Sequence, residues 1–235
     1  MMTEDISKQD DARIRILIAD DHPLLREALK NILERQPDFR VVGEASDGEE
    51  AINLAARLLP EVAILDINMP KVNGIEATRQ IKTSHPDVAI LVLTIYDDIP
   101  HILAIIEAGA AGYLTKKVFG DEVVNAVRNI LAGDTVLVPA ISRKLINHVL
   151  RHKTKSQAVF THHDISKREL EVLTLAAMGK SNQDIAQVLS ITSRTVKAYL
   201  TDIFSKLNVS SRTEAVVTAL KSGIIDLDDI GSSDG

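Results

Sequence analysis

The stretch "VAILDINMPKVNG", residues 62–74, closes a run of apolar residues with an aspartate and turns at once. Val62 to Leu65 reads as a fully buried strand, while Pro70 and Gly74 carry loop chemistry. A charge where a buried strand surfaces serves as a helix cap, an edge residue or a reactive group. Outward from this stretch the same pattern recurs. "IRILIA" (14–19), "FRVVGEA" (39–45), "VAILVLT" (88–94) and "AAGYLT" (110–115) are further apolar runs. Between the runs lie amphipathic stretches at Leu24–Arg35, Gly48–Leu58, Gly74–Ser84, Ile99–Ala108 and Asp121–Ala132. Five strands, each followed by a helix, predict parallel pairing through right-handed crossovers. The fold class is therefore α/β, a doubly wound five-stranded parallel sheet with helices on both faces.

Such sheets place their chemistry outside the carboxyl ends of the strands. Asp20 and Asp21 follow the first run, Asp66 the third, Thr94 the fourth and Lys116 the fifth. Three carboxylates this close repel one another, so at neutral pH they protonate or bind a cation. Their oxygens suit Mg²⁺, which takes one or two carboxylates, waters and a phosphate oxygen. Phosphoryl transfer follows from that set: a carboxylate attacks phosphorus, a metal neutralises charge, and an ammonium and a hydroxyl hold the equatorial oxygens. Asp66, on the central strand, is the nucleophile candidate. Asp20 and Asp21 would hold the metal, and Lys116 and Thr94 the phosphoryl group. Each residue alone has a plainer reading. An Asp pair before His-Pro is often a cap, Lys116 a solvated charge, Thr94 a β-branched strand residue and Tyr113 core. The chemical reading rests on all of them standing at strand ends together. His22, His85, His101 and His148 show no ligand spacing and read as surface, and His162-His163 as a loop pair.

At 235 residues the chain suits one large domain or two small ones. The absence of cysteine excludes a disulfide framework, a thiolate metal site and a cysteine nucleophile. "MMTEDISKQDDARIR" at the start is acidic and polar, unlike a signal peptide. No apolar run approaches the roughly 18 residues of a membrane span, so the expectation is a soluble, cytoplasmic protein with no membrane partner. Charge is unevenly spread. Residues 1–140 carry 14 basic and 23 acidic side chains, whereas 141–160 carry five basic and no acidic ones. Basic charge thus gathers in the second part, which points toward nucleic acid. The last ten residues, "DLDDIGSSDG", read as an acidic disordered tail over 226–235.

After Gly133 the pattern turns wholly helical. A helix is expected from Ser142 to about His152, inside a linker over 134–160. Residues 161–225 form a compact all-α module with three capping boxes, Ser166/Glu169, Ser181/Asp184 and Ser211/Glu214, and a fourth start at Thr192. In the helix after Thr192, Val196, Leu200, Ile203 and Leu207 make a buried stripe. The opposite face carries Arg194, Lys197, Ala198, Thr201 and Ser205, small, polar and basic, which suits a helix in a major groove. The preceding "NQDIAQVLS" is joined to it by the short turn "SIT", the geometry of a helix-turn-helix. A generic four-helix bundle with a solvated face fits the pattern as well.

"LIADDHPLLREAL", "LDINMPKVNGIEA", "VLTIYDD" and "AGAAGYLTKK" together resemble the receiver domain of two-component response regulators, over residues 14–133. The resemblance implies a flavodoxin-like receiver in which Asp66 takes a phosphoryl group from a sensor histidine kinase. It implies that Asp21, Asp66 and the carbonyl of Asn68 ligate Mg²⁺, with Asp20 close by. Thr94 and Tyr113 become a switch pair, the hydroxyl drawn to the phosphoryl group and the ring turning inward. Lys117 departs from the family's usual small or acidic residue. No classical enzyme is implied, only self-phosphorylation from a donor and slow self-dephosphorylation.

"ISKRELEVLTLAAMGKSNQDIAQVLSITSRTVKAYLTDIFSKLNVSSRTEAV" closely resembles the LuxR-type helix-turn-helix, placing it at 161–225. Together the two parts resemble a NarL/FixJ-type response regulator. By that resemblance Lys197, Ala198 and Thr201 contact base edges of double-stranded DNA. Lys180, Ser181, Asn182, Arg194, Thr195 and Lys206 contact phosphates, the first three near a helix N-terminus. Tyr199 stands where histidine is usual, and Thr201 where lysine is frequent. A homodimer, formed on phosphorylation or on DNA, is implied, with the helix Arg212–Ser222 exposing an edge that pairs two modules. Half-sites would lie about 10 bp apart. Three rivals remain open at this point. An aspartyl-phosphate hydrolase needs an acid two residues after the nucleophile, where Asn68 stands. The others are a regulator with a protein-binding output and one acting without phosphorylation.

Overall fold

The computed structural model describes residues 13–96, 98–118, 120–134 and 165–225. The helix expected at 142–152, most of the 134–160 linker and the acidic tail lie outside the described residues.

Strands β1 (Ile14–Ala19), β2 (Phe39–Ala45), β3 (Val62–Leu65), β4 (Ala89–Thr94) and β5 (Gly112–Thr115) form one parallel sheet in the order β2-β1-β3-β4-β5. Helices α1 (Pro23–Glu34), α2 (Gly48–Leu58), α3 (Gly74–Ser84), α4 (Ile99–Glu107) and α5 (Asp121–Ala132) link the strands or follow the last. The strand period of two sorts side chains between two cores. Leu17, Ala63, Leu65, Ile90 and Val92 pack with α2, α3 and α4. Ile16, Ile18, Val62, Ile64, Leu91 and Leu93 pack with α1 and α5 on the other face. β3, flanked by β1 and β4, is the central strand, as expected, so its end is hemmed in by neighbours on both sides.

Local chemistry sets the helix starts around that end. α1 begins at Pro23 behind His22, and neither Asp20 nor Asp21 is its cap. Asp20 instead accepts the His22 backbone N–H at 2.9 Å. α2 and α3 are capped by Asp47 and Asn73, whose side chains accept from Glu50 and Glu76. Gly74 opens α3 against β3: a Cβ there would overlap the carbonyl oxygen of Asp66. Only glycine lets that helix come in under the strand end.

The helical part comprises α6 (Lys167–Ala177), α7 (Asn182–Leu189), α8 (Ser193–Leu207) and α9 (Arg212–Ser222). Val172, Leu173, Ile185, Val196, Leu200, Ile203, Leu207, Ala215 and Leu220 form its core. The expected stripe of α8 is buried as read. Ser166 and Ser181 make complete capping boxes with Glu169 and Asp184. The third box is not closed. Ser211 accepts from the Glu214 N–H, but the Glu214 carboxylate reaches one residue further back, to the backbone N–H and hydroxyl of Ser210. A second hydroxyl beside the cap draws the acid away. α9 also departs from expectation, because its supposed free edge is covered. Ala215, Ala219 and Leu220 face the helical core, whereas Val217 joins the receiver-side core containing Ile102, Ile105 and Ile106 of α4. Lys221 pairs with Glu107 at 2.6 Å across the same seam.

Candidate functional site

The strand order brings Asp20, Asp66, Thr94 and Lys116 to one rim. Asp20 is 2 % exposed, Asp66 3 % and Thr94 fully buried. Lys116 reaches in from beyond β5, its Nζ 2.7 Å from an Asp20 oxygen and 2.9 Å from an Asp66 oxygen. The Asp66 backbone N–H donates to the Ala19 carbonyl at 2.8 Å, which locks β3's end beside β1's. Burial pushes the Asp66 carboxyl above its ordinary value; Lys116 opposes this and the neighbouring Asp20 charge adds to it. Burial also works against the Lys116 charge, yet the two carboxylates outweigh it and raise the lysine's pKa.

Asp21 lies at the exposed lip of the rim. His22, read as plain surface, is exposed but not idle: its Nδ1 stands 2.7 Å from Asp21 and 3.2 Å from Asp20. Asp20, Asp21 and His22 each offer an atom within 4.8 Å of the others. Two buried carboxylates and a third at the lip make a donor set of hard oxygens, with the Lys116 ammonium lying between the first two. Such a set fits a hard divalent ion better than a soft one.

Sequence reasoning missed what surrounds the rim. Asn68, exposed beyond Asp66, accepts from the Tyr96 hydroxyl at 3.2 Å. Tyr96 in turn stacks on His101, centroids 4.2 Å apart. The Tyr96 backbone N–H donates to the Thr94 hydroxyl at 3.3 Å, and its carbonyl accepts from the Tyr113 hydroxyl. Tyr113 is 1 % exposed, so its ring already stands inward. Thr94, Tyr96 and Tyr113 thus form one connected set from the rim to the start of α4. The run Ile95-Tyr96-Asp97-Asp98 after Thr94 was the available signal.

In the helical part Arg194, Lys197, Ala198 and Thr201 are exposed on one face of α8, and the Thr192 hydroxyl caps that helix on the Thr195 N–H. Lys180, Ser181 and Asn182 lie at the start of α7, but Asn182 is buried. Lys206 is committed elsewhere, both oxygens of buried Glu169 lying 2.7–2.8 Å from its Nζ. Its charge serves the α6–α8 contact. Among the described residues no helix is long and apolar enough to cross a membrane.

Comparison with known proteins agrees with both halves. Residues 16–128 match the response regulator receiver domain, and residues 163–219 match the bacterial regulatory proteins of the luxR family. The chain is 40% identical over 223 residues to the transcriptional regulatory protein DegU of Brevibacillus brevis, covering 90% of this chain and 94% of that one. It is 42% identical over 212 residues to LiaR of Bacillus subtilis, covering 90% and 99%. A crystal structure of a LuxR-family two-component response regulator from Aurantimonas sp. SI85-9A1 is similar at 36% identity and a TM-score of 0.55, over 59% of this chain and 99% of that one.

Proposed function

This chain belongs to the NarL/FixJ-type two-component response regulators, transcriptional regulators that join a receiver to a LuxR-type helix-turn-helix, and we propose that Asp66 gates its DNA binding by taking a phosphoryl group from a sensor histidine kinase. The observation that carries this reading is the convergence of Asp66, Asp20, Lys116 and Thr94 at the end of the central strand. The receiver runs over 14–133, the linker over 134–160, the DNA-binding module over 161–225 and the tail over 226–235. The protein works in the cytoplasm, where kinase and DNA are both in reach.

An Asp66 oxygen attacks the phosphorus of a phosphohistidine. The P–N bond breaks and its electron pair returns to the imidazole of the donor. Asp20, Asp21, Asp66 and the Asn68 carbonyl would hold Mg²⁺, which would neutralise charge building on the transferred group. Lys116 leaves its bridge between the carboxylates to pair with a phosphoryl oxygen, and the Thr94 hydroxyl donates to another. Thr94 also holds the Tyr96 N–H, and Tyr113 holds the Tyr96 carbonyl, so a shift of Thr94 pulls on the loop that starts α4. α4 packs against α9 through Val217 and Glu107–Lys221. Loosening that seam frees α9 and the α4 face for homodimer formation and frees the module to bind paired half-sites in double-stranded DNA. Lys197, Ala198 and Thr201 would read bases, while Arg194, Thr195, Lys180, Ser181 and Asn182 would hold phosphates. Lys206, committed to Glu169, contributes least.

A full switch from 1:99 to 99:1 requires about 5.5 kcal/mol of differential stabilisation. A covalent dianion paired with Lys116 and a metal would supply charge-assisted bonds that the unphosphorylated state lacks. The test is labelling by acetyl phosphate with Mg²⁺. Wild type should incorporate one phosphoryl group and Asp66→Ala none, with the fold intact by circular dichroism. Labelling of Asp66→Ala at the wild-type rate would end the assignment.

A further inference from the structure

The helical module also meets the receiver through a polar cluster just past α5. Asp134 sends its carboxylate to the start of α7, where Oδ1 accepts the Asn182 backbone N–H at 2.8 Å. The same oxygen lies 3.7 Å from Nη1 of Arg212. The Asn182 side chain is gripped from both sides: Nδ2 donates to the Ala132 carbonyl at 2.8 Å, and Oδ1 accepts from Arg212 Nη1 at 2.9 Å. Gly133 permits this approach, since a Cβ there would stand 2.9 Å from Asn182 Nδ2.

The chemistry on the module's side of this cluster is that of an oxyanion site. The first turn of α7 offers the positive end of the helix dipole, with the Asp184 N–H capped by the Ser181 hydroxyl and the Asn182 N–H given to Asp134. Arg212 is 5 % exposed and its Nε has no hydrogen-bond partner. Among the described residues no carboxylate of the module pairs with this buried guanidinium, whose Nη2 donates to the Lys180 carbonyl; the carboxylate set against it comes from the other half of the chain. Burial lowers the Arg212 pKa, with Asp134 opposing, which is the mark of a cation short of counter-charge.

We infer that Asn182 and Arg212 at the start of α7 form a site for a DNA backbone phosphate, and that the Asp134 carboxylate occupies it as an internal competitor. The inference rests on the DNA-binding reading above. A phosphodiester and a carboxylate each carry one negative charge and two accepting oxygens, so one replaces the other without a change in the charge balance. In a helix-turn-helix the first helix crosses the DNA backbone, and helix N-termini are frequent phosphate contacts. The base-reading side chains Lys197, Ala198 and Thr201 stay exposed in this same arrangement. The receiver thus stands at the edge of the reading face without burying its side chains. It removes a backbone anchor beside it, with Lys197 Cε 3.8 Å from where a Cβ on Gly133 would stand.

The test compares two substitutions that both break the clasp but act oppositely on the site. Full-length protein is titrated against a fluorescent mixed-sequence duplex of roughly 30 bp, about three helical turns, over a salt series, with and without beryllofluoride and Mg²⁺. Asp134→Asn takes the competing negative charge out of the site. The protein without beryllofluoride should then bind about tenfold more tightly, with a salt slope steeper by about 0.9. Asn182→Asp sets a carboxylate against Asp134 and leaves a permanent negative charge in the site. Its affinity should fall about tenfold in both states, with a flatter slope. An acid in the first turn suits the helix dipole, so α7 should keep its fold, as circular dichroism will verify. Gln183→Glu adds the same charge one exposed position on and should change affinity by less than about threefold. If Asn182→Asp tightens binding as Asp134→Asn does, the cluster is only a latch and the inference fails. It fails equally if Asp134→Asn changes neither affinity nor slope, or if Gln183→Glu weakens binding as much as Asn182→Asp. If beryllofluoride-treated wild type binds no duplex at any salt, the DNA-binding reading itself falls first.

Discussion

The ammonium of Lys116 lies 2.9 Å from Asp66, and the same nitrogen lies 2.7 Å from Asp20. One cation, 14 % exposed, thus serves two carboxylates that water scarcely reaches. Removing it leaves two uncompensated buried charges, a loss typically worth about 3–5 kcal/mol. Lys116→Met should therefore unfold at markedly lower urea in chelator than wild type. Added Mg²⁺ should recover part of the difference, because a ligand of the folded state stabilises by mass action. Equal urea midpoints in chelator would contradict the bridge.

Asp66 itself should be a stability liability. Its folded carboxyl is raised by burial above the ordinary 3.8, so the folded state binds a proton at a pH where the unfolded chain has released it. Folding is penalised above the raised pKa, and the penalty lifts as pH falls. Asp66→Asn should raise Tm at neutral pH in chelator, and the gain should shrink as pH falls toward 3.8. A gain that grows on acidification would reverse the sign and the argument with it.

Tyr113 tests the link from the rim to α4. Tyr113→Phe keeps the buried ring but deletes the donor to the Tyr96 carbonyl, a cost of about 0.5–1.5 kcal/mol. Amide exchange should quicken at Tyr96 and in the first turn of α4 while β3 stays protected. Unchanged exchange at Tyr96 would mean the hydroxyl does not hold that loop.

Much of this was legible in the sequence for reasons that are local. Strand runs ending in Asp20, Asp66, Thr94 and Lys116 fix both the sheet and its reactive rim, because a parallel strand between two others can bear a charge only where it surfaces. Serine caps at 166 and 181 mark helix starts through a three-residue spacing that sequence displays directly. Contacts between distant segments leave no such trace. No period joins Asp134 to Asn182 or Tyr96 to Asn68. α9 did carry a signal, the adjacent pair Val216-Val217: neighbouring apolar residues on a helix point to different faces and so to two partners. Lys206 read as a phosphate contact because a basic residue in the last turn of a recognition helix gives no hint of a buried glutamate 37 residues earlier.

That pair gives a further expectation. Burial would raise the Glu169 carboxyl, but Lys206 and Ser166 hold it below its ordinary 4.5. A depressed carboxyl contributes stability above 4.5 that is lost as pH falls through its folded value. Lys206→Met should cost about 1 kcal/mol at neutral pH, given the lysine's partial exposure. The difference from wild type should close as pH drops below 4.5. A difference independent of pH would place the role of Lys206 in packing.

The central claim is that phosphorylation at Asp66 opens the way to DNA. Its most direct test is selection of genomic DNA fragments by the purified full-length protein, with and without beryllofluoride and Mg²⁺. Enrichment of fragments carrying paired half-sites about 10 bp apart, only when the phosphoryl mimic is present, is the result expected. Equal enrichment in both states would contradict the account, since DNA binding would then be independent of the acid rim.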